Sequence, residues 1–164
     1  MSFRVDIGVL EEVVGHAGMK GTSVNVLVNQ ILKRYVDFNV YEQPLGILHL
    51  PKGLVMEMFD VFDDQKIHVL AKKTYQIIRD SVLVMQHSND AEAYLDVLER
   101  YLAPASFCRI SSQGSEKTIE IVHNAGMKFS EFLKQLLSII FEKNEEIPLD
   151  FELTERCIMA TVRY

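Results

Sequence analysis

The sequence predicts an α+β protein in which a small β-α-α module precedes a larger domain with an antiparallel sheet. Apolar residues alternate at the start of the chain and then recur at helical spacing as far as Tyr35. Near the C-terminus, an amphipathic helix over residues 127–143 lies between two pairs of predicted strands. We therefore expect the β-α-α module over residues 1–38, a connector over 39–44 and an α+β domain over 45–164.

The module is predicted as one strand followed by two helices. Residues 2–5 alternate polar and apolar side chains, which is the pattern of a strand with one buried face. Asp6 is expected to cap the first helix, because its carboxylate can accept a hydrogen bond from a free backbone amide. The Gly-Met-Lys-Gly segment at 18–21 ends that helix, and Thr22 or Ser23 is expected to cap the second. The apolar side of the second helix comprises Val24, Leu27, Val28, Ile31, Leu32 and Tyr35.

A module of this size is too small to bury its own apolar side chains. Folded domains below roughly 40 residues usually need a disulfide, a metal or a partner chain. Both cysteines, Cys108 and Cys157, lie outside the module and far apart, so free thiols are expected. A single short strand is also unstable unless another strand pairs with it. Both requirements are met if two copies pair their strands and pack their helices together, which predicts a homodimer.

The rest of the chain predicts three helices followed by a ββαββ ending. A short strand is expected over Leu45–Leu50, and Pro51 is well placed to begin a helix. Asp63 and Asp90 precede two further helices with apolar residues at helical spacing. Alternating segments then predict four strands in an antiparallel sheet with helices on one face. These strands are expected at 107–112, 117–123, 149–153 and 157–164, with the long helix at 127–143 between the two pairs.

Composition and charge predict a globular protein whose excess negative charge lies outside the N-terminal module. Hydrophobic residues make up 48% of the chain, enough for a real core, and the net charge is −6. Through Phe38 the four basic residues balance the four acidic ones, so the excess negative charge belongs to the rest of the chain. No secretory leader or apolar run of membrane-spanning length is evident, which predicts a cytoplasmic protein without a membrane partner.

The module resembles the ribbon-helix-helix fold of Arc- and MetJ-type repressors. The resemblance rests on Phe3-Arg4-Val5, on Leu10, on Gly21-Thr22-Ser23-Val24-Asn25, and on the helix that ends near Tyr35. The segment 24–36 also resembles the same part of uncharacterised archaeal regulators of this type. The resemblance covers about a quarter of the chain. Family members usually have a third outward strand residue, so either the ribbon is short here or the natural protein starts upstream of Met1.

The resemblance implies how the dimer would bind double-stranded DNA. A two-stranded ribbon, one strand from each chain, would enter the major groove with Ser2 and Arg4 facing the bases. The N-terminus of the second helix would face a phosphate. The implied phosphate contacts are Lys20, Thr22, Ser23, Val24 and Asn25, and the implied dimer core is Phe3, Val5, Leu27, Val28, Ile31, Leu32 and Tyr35.

The C-terminal region offers no catalytic or metal-binding motif. Its histidines lack HxH or HExxH spacing, and no phosphate-binding loop or GxSxG elbow is present. Cys108 and His123 lie on neighbouring predicted strands, where a structural pairing is favoured over a nucleophilic one. His123 precedes the long helix and is a candidate for a ligand cleft.

These features favour a transcriptional regulator whose C-terminal domain senses an effector or promotes assembly. No enzymatic activity, cofactor or metal is expected. Two alternatives stay open, an antitoxin that also covers a toxin protein, and a ligand-binding or adapter protein that uses the module only to dimerise. A regulator fits an architecture in which a small DNA-reading module is joined to a larger acidic domain.

Overall fold

The computed structural model describes residues 4–86, 88–103, 106–144 and 147–163. The chain divides into two compact units, a first unit of Met1–Leu48 and a second unit of His49–Tyr164. The first unit is helical where it is described, and the second combines helices with a four-stranded antiparallel sheet. This architecture confirms the predicted α+β class.

The described residues of the first unit form three helices and a short π-helical segment. Helix α1 spans Ile7–Met19 and α2 spans Val24–Arg34; the π-helical segment Tyr35–Asn39 and helix α3, Val40–Leu45, follow without a break. The residues expected to form a connector, 39–44, are therefore helical. The residues after Leu45 form a turn and an irregular segment, so the strand predicted there is not formed.

Local sequence explains where α1 and α2 begin. The Asp6 carboxylate accepts hydrogen bonds from the amides of Gly8 and Val9, at 2.9 and 3.3 Å, as the sequence predicts for an N-cap. Between the helices, Gly21 has a φ of +61°, a left-handed conformation that glycine adopts at low cost. Ser23 then caps α2, with its hydroxyl accepting from the Val26 amide at 3.2 Å.

The strand predicted ahead of α1 is not shown. Ser2 and Phe3 lie outside the described residues, while Arg4 and Val5 are described and belong to no strand. A strand that depends on a second chain has no hydrogen-bonding partner within one chain. The described residues of the predicted module therefore form its two helices but no ribbon.

The second unit begins with three helices and ends with the predicted ββαββ order. Aspartate again caps helices here. Asp63 and Asp90 accept amide hydrogen bonds at the starts of two of these helices, as Asp6 does for α1. The elements are α4 Lys52–Asp60, α5 Asp64–Met85, α6 Ala91–Leu102, β1 Phe107–Gln113, β2 Glu116–Val122, α7 Met127–Asn144, β3 Leu149–Leu153 and β4 Cys157–Arg163.

The strands form an antiparallel sheet in the order β1-β2-β4-β3. Ile119 lies opposite Ala160 and Ile121 opposite Ile158, and all four side chains are buried. Met159, between the two buried β4 residues, is exposed, so one face of the sheet is covered and the other faces solvent. The covered face packs with the helices into a single core. Helix α7 contributes six large side chains to this core, namely Phe132, Leu133, Leu136, Leu137, Ile140 and Phe141.

Asp90 is the clearest helix cap of the second unit. Its Oδ1 accepts from the Ala93 amide at 2.9 Å, and its Oδ2 accepts from the Ser88 hydroxyl at 2.6 Å. These hydrogen bonds, that of Ser88 above all, stabilise the ionised form and lower the pKa of Asp90. The cap therefore fixes the start of α6, a helix whose apolar side is buried in the core.

Replacing Asp90 with alanine is expected to lower the free energy of unfolding by about 1 kcal/mol, because the Ala93 amide loses its acceptor. Urea unfolding at neutral pH, followed by circular dichroism, measures this change. Asp90→Asn is the matched control, since asparagine keeps a side-chain oxygen in the same place. Equal losses in the two variants would show that the cap hydrogen bond is not the source of the stability.

Candidate nucleic-acid interface and buried histidine

The N-terminus of α2 is built as a capped, exposed helix end. The Ser23 hydroxyl accepts from the third amide of the helix, that of Val26. The first two amides, of Val24 and Asn25, have no acceptor within an α-helix. These amides and the helix dipole together favour an anion at this position.

The residues around this helix end are those implied as phosphate contacts. Ser23 and Asn25 are exposed, while Thr22 and Val24 are half-buried. Lys20 is exposed at the end of α1, on the turn that leads into α2. The turn between the helices therefore carries one exposed cationic residue, Lys20, three residues before the Ser23 cap. Arg4, the implied base contact, is also exposed, and Ser2 lies outside the described residues.

The apolar side of α2 is largely open within one chain. Leu27 is buried and Val28 is half-buried, but Ile31, Leu32 and Tyr35 are 50%, 48% and 58% exposed. Val5 is also exposed, and Phe3 lies outside the described residues. Helix α1 also leaves apolar side chains exposed within one chain. Its exposed large apolar side chains are Ile7, Val9, Leu10, Val14 and Met19.

Phe38 is a core residue of the first unit that the sequence reasoning did not identify. It is 3% exposed and lies in the π-helical segment, with the Arg34 guanidinium 5.7 Å from its ring centre. The signal was present in the sequence, because Phe38 follows Tyr35 by three residues and so continues the helical spacing of the apolar side of α2.

In the second unit, His123 lies fully buried between β2 and α7. Its Nδ1 accepts from the Ala125 amide at 3.0 Å. Nδ1 must therefore carry no proton, so Nε2 is the protonated nitrogen and donates to the Ser130 hydroxyl at 2.9 Å. Ser130 in turn donates to the carbonyl of Thr154 at 2.5 Å. The network joins the β2–α7 connection, α7 and the β3–β4 turn through one tautomer of one histidine.

The surroundings keep the His123 ring neutral. Burial, and to a smaller extent the Lys52 ammonium, lower the pKa of His123 to about 4. Lys52 also donates a hydrogen bond to the His123 carbonyl. His123 is one wall of a mostly apolar cavity of about 210 Å³, which Tyr101 and Phe129 also line. Both ring nitrogens have partners within the protein, so the geometry gives His123 a hydrogen-bonding role in the structure.

Neither cysteine is paired with His123. On the β1–β2 ladder Cys108 lies opposite Ile121, while the Cys157 sulfur is 3.3 Å from the Thr154 hydroxyl. Burial, with a smaller contribution from Glu99, raises the pKa of Cys108 to about 11. Over the described ranges, no three His, Cys, Asp or Glu side chains are grouped as metal ligands. The helices of the described chain include none that is both long and apolar enough to cross a membrane.

The fold and these sites define an α+β protein whose N-terminal unit, helical where it is described, leaves many of its apolar side chains exposed. No protein-family model matches this chain, and no curated protein matches it significantly.

Proposed function

We propose that the protein is a homodimeric, sequence-specific DNA-binding transcriptional regulator of the ribbon-helix-helix type. The observation that carries the proposal is the open apolar side of α1 and α2. Two helices that leave Ile31 and Leu32 about half exposed need a covering surface, and a second copy of the same unit supplies one. The resemblance of residues 3–35 to ribbon-helix-helix repressors supports this kind of dimer.

In the proposed complex, residues 2–5 of two chains pair as an antiparallel ribbon in the major groove. Arg4 donates two hydrogen bonds to a guanine, the most common specific contact in that groove, and Ser2 makes a weaker one. The free amides of Val24 and Asn25 hold a phosphate, with Ser23 and Lys20 beside it. The phosphate contacts set the position of the dimer on the duplex, and Arg4 supplies the sequence preference.

The second unit is proposed to sense an effector or to promote further assembly. It carries most of the excess negative charge of the chain, which disfavours a second contact with DNA. The DNA surface is therefore assigned to the first unit alone.

The test is fluorescence anisotropy with labelled duplexes from the region upstream of the gene, for wild type and Arg4→Ala across a salt series. The variant is expected to lose its preference for the best duplex, since a lost bidentate base contact costs about 1–3 kcal/mol. Wild-type affinity is expected to fall steeply as salt rises, because phosphate contacts release counterions.

Arg156→Ala is the matched control, since Arg156 is an exposed arginine of the second unit, in the turn before β4. It removes the same charge and is expected to bind like wild type. If Arg4→Ala binds every duplex as wild type does, or if wild type binds none at low salt, the first unit serves only to dimerise. The proposed DNA contact would then be wrong.

A further inference from the structure

An open groove of about 620 Å³ lies between α5 and α7, within the second unit. On α5 its wall contains His68, Lys72, Tyr75 and Arg79, which are spaced by three or four residues and so share one side of the helix. The facing part of α7 contributes Glu142 and Lys143. The volume is within the range typical of sites for small organic ligands, about 300–1,000 Å³.

The groove is cationic although the protein as a whole is acidic. Among the described residues, Lys72, Arg79 and Lys143 line it together with one carboxylate, that of Glu142. Arg79 also pairs with the neighbouring Asp80, at 3.1 Å. The formal charge of the lining is therefore positive, whereas the chain carries −6. Cations that face one another across a cleft produce a positive potential there, which attracts anions.

The two lysines differ from most cations of the second unit in having no partner. Within the described ranges, neither Lys72 nor Lys143 forms an ion pair or a side-chain hydrogen bond, and both are exposed. Elsewhere among the described residues of the unit, six cationic side chains besides Arg79 have a carboxylate within 4 Å. These are Lys66, Arg100, Lys117, Lys128, Lys134 and Arg163.

Two further groups in the groove can bind an organic anion. His68 donates from Nδ1 to the Gln135 amide oxygen at 2.6 Å, which leaves its Nε2 as a hydrogen-bonding group. The Tyr75 ring is held by stacking on Tyr94, with ring centres 5.4 Å apart and planes 8° from parallel. A fixed aromatic ring beside cations provides apolar contact for the uncharged part of a ligand.

We propose that this groove binds a small phosphorylated molecule with two or more negative charges. Lys72 and Lys143 bind its phosphate oxygens from opposite walls, and Arg79 adds a planar donor pair suited to phosphate. Tyr75 contacts the organic part. The proposal rests on the second unit alone and does not require that the first unit binds DNA.

Isothermal titration calorimetry on the full chain at low salt tests the proposal, with ATP and inorganic pyrophosphate as probes. Saturable binding of at least one probe is expected. Each of Lys72→Ala and Lys143→Ala is expected to weaken it about tenfold, the usual effect of losing a hydrogen bond between charged groups. Citrate, a multiply charged anion without phosphate, is expected to bind more weakly than pyrophosphate.

Lys73→Ala is the matched control, because Lys73 follows Lys72 on the same helix but lines a different cleft, with Phe62 and Leu70. It is expected to bind the probes as wild type does, and thermal unfolding checks that all variants are folded. Three results would each overturn the proposal: no saturable binding of either probe, equal losses in Lys73→Ala and Lys72→Ala, or citrate binding as tightly as pyrophosphate. DNA binding by the same preparations is measured separately, so failure of this site is distinguishable from failure of the regulator proposal.

Discussion

Aspartate in place of Ile31 is expected to convert the protein from a dimer to a monomer and to abolish specific DNA binding. Ile31 is half exposed in one chain, next to the equally open Leu32, and is proposed to become buried against the second copy. A carboxylate buried there without a partner costs several kcal/mol per chain, and a symmetric interface contains the change twice. A loss of dimer affinity of more than a thousandfold, on the order of 4 kcal/mol or more, is therefore expected.

Size-exclusion chromatography with light scattering at micromolar concentration measures the change in mass, and anisotropy measures DNA binding. Gln30→Asp is the control, because it adds the same charge at the adjacent, exposed position of α2. It is expected to remain dimeric. A wild-type monomer would remove the basis for the ribbon. A dimeric Ile31→Asp variant that still binds DNA would show that the apolar side of α2 is not the interface.

The helices and strands of the second unit could be predicted from the sequence, because their apolar residues recur at the spacing of a helix or a strand. The helix predicted at 127–143 forms α7, Met127–Asn144, and its apolar stripe is the part that is buried. The strands predicted at 107–112 and 149–153 correspond to β1 and β3 with at most one residue of difference. In these segments local pattern and tertiary packing require the same structure.

The structure near the end of the first unit could not be predicted from the sequence, because two local signals there are misleading. Pro44 disfavours a helix, because its ring clashes with the carbonyl four residues earlier and it has no amide hydrogen to donate, yet it lies inside α3. The apolar residues from Leu45 to Leu50 suggested a strand, but a strand forms only where another strand pairs with it.

The α5–α7 groove could not be predicted for a different reason. Lys72 and Arg79 have a spacing that the sequence shows, but Lys143 lies far along the chain and reaches the groove only through the packing of α5 against α7. The partners of His123 show the same dependence on tertiary structure. Ser130 and Thr154 are ordinary polar residues in the sequence, and only the fold brings the Ser130 hydroxyl to the ring nitrogen and to the Thr154 carbonyl.

Acid is expected to destabilise the second unit through His123. The folded unit favours the neutral ring, with a pKa of about 4 against an ordinary histidine value of 6.5. The unfolded chain therefore binds the extra proton first as pH falls. The stabilising contribution of this site is complete above about pH 6.5 and declines as the pH falls towards 4. The two pKa values correspond to about 3 kcal/mol in total, and about 2 kcal/mol of this is expected to be lost between pH 7 and 5.

Urea unfolding at a series of pH values measures this slope, and proton NMR of the folded wild type reports directly whether one histidine titrates near pH 4. His123→Gln is expected to be less stable at neutral pH but to lack the slope between pH 7 and 5, because its side chain does not titrate. His68→Gln, which removes an exposed histidine, is expected to keep the wild-type slope. Protonation of His123 breaks the buried network, because Nδ1 with a proton can no longer accept the hydrogen bond from the Ala125 amide. If all histidines of the folded protein titrate near their ordinary value, the buried network is not what holds His123 neutral and the predicted acid sensitivity is wrong.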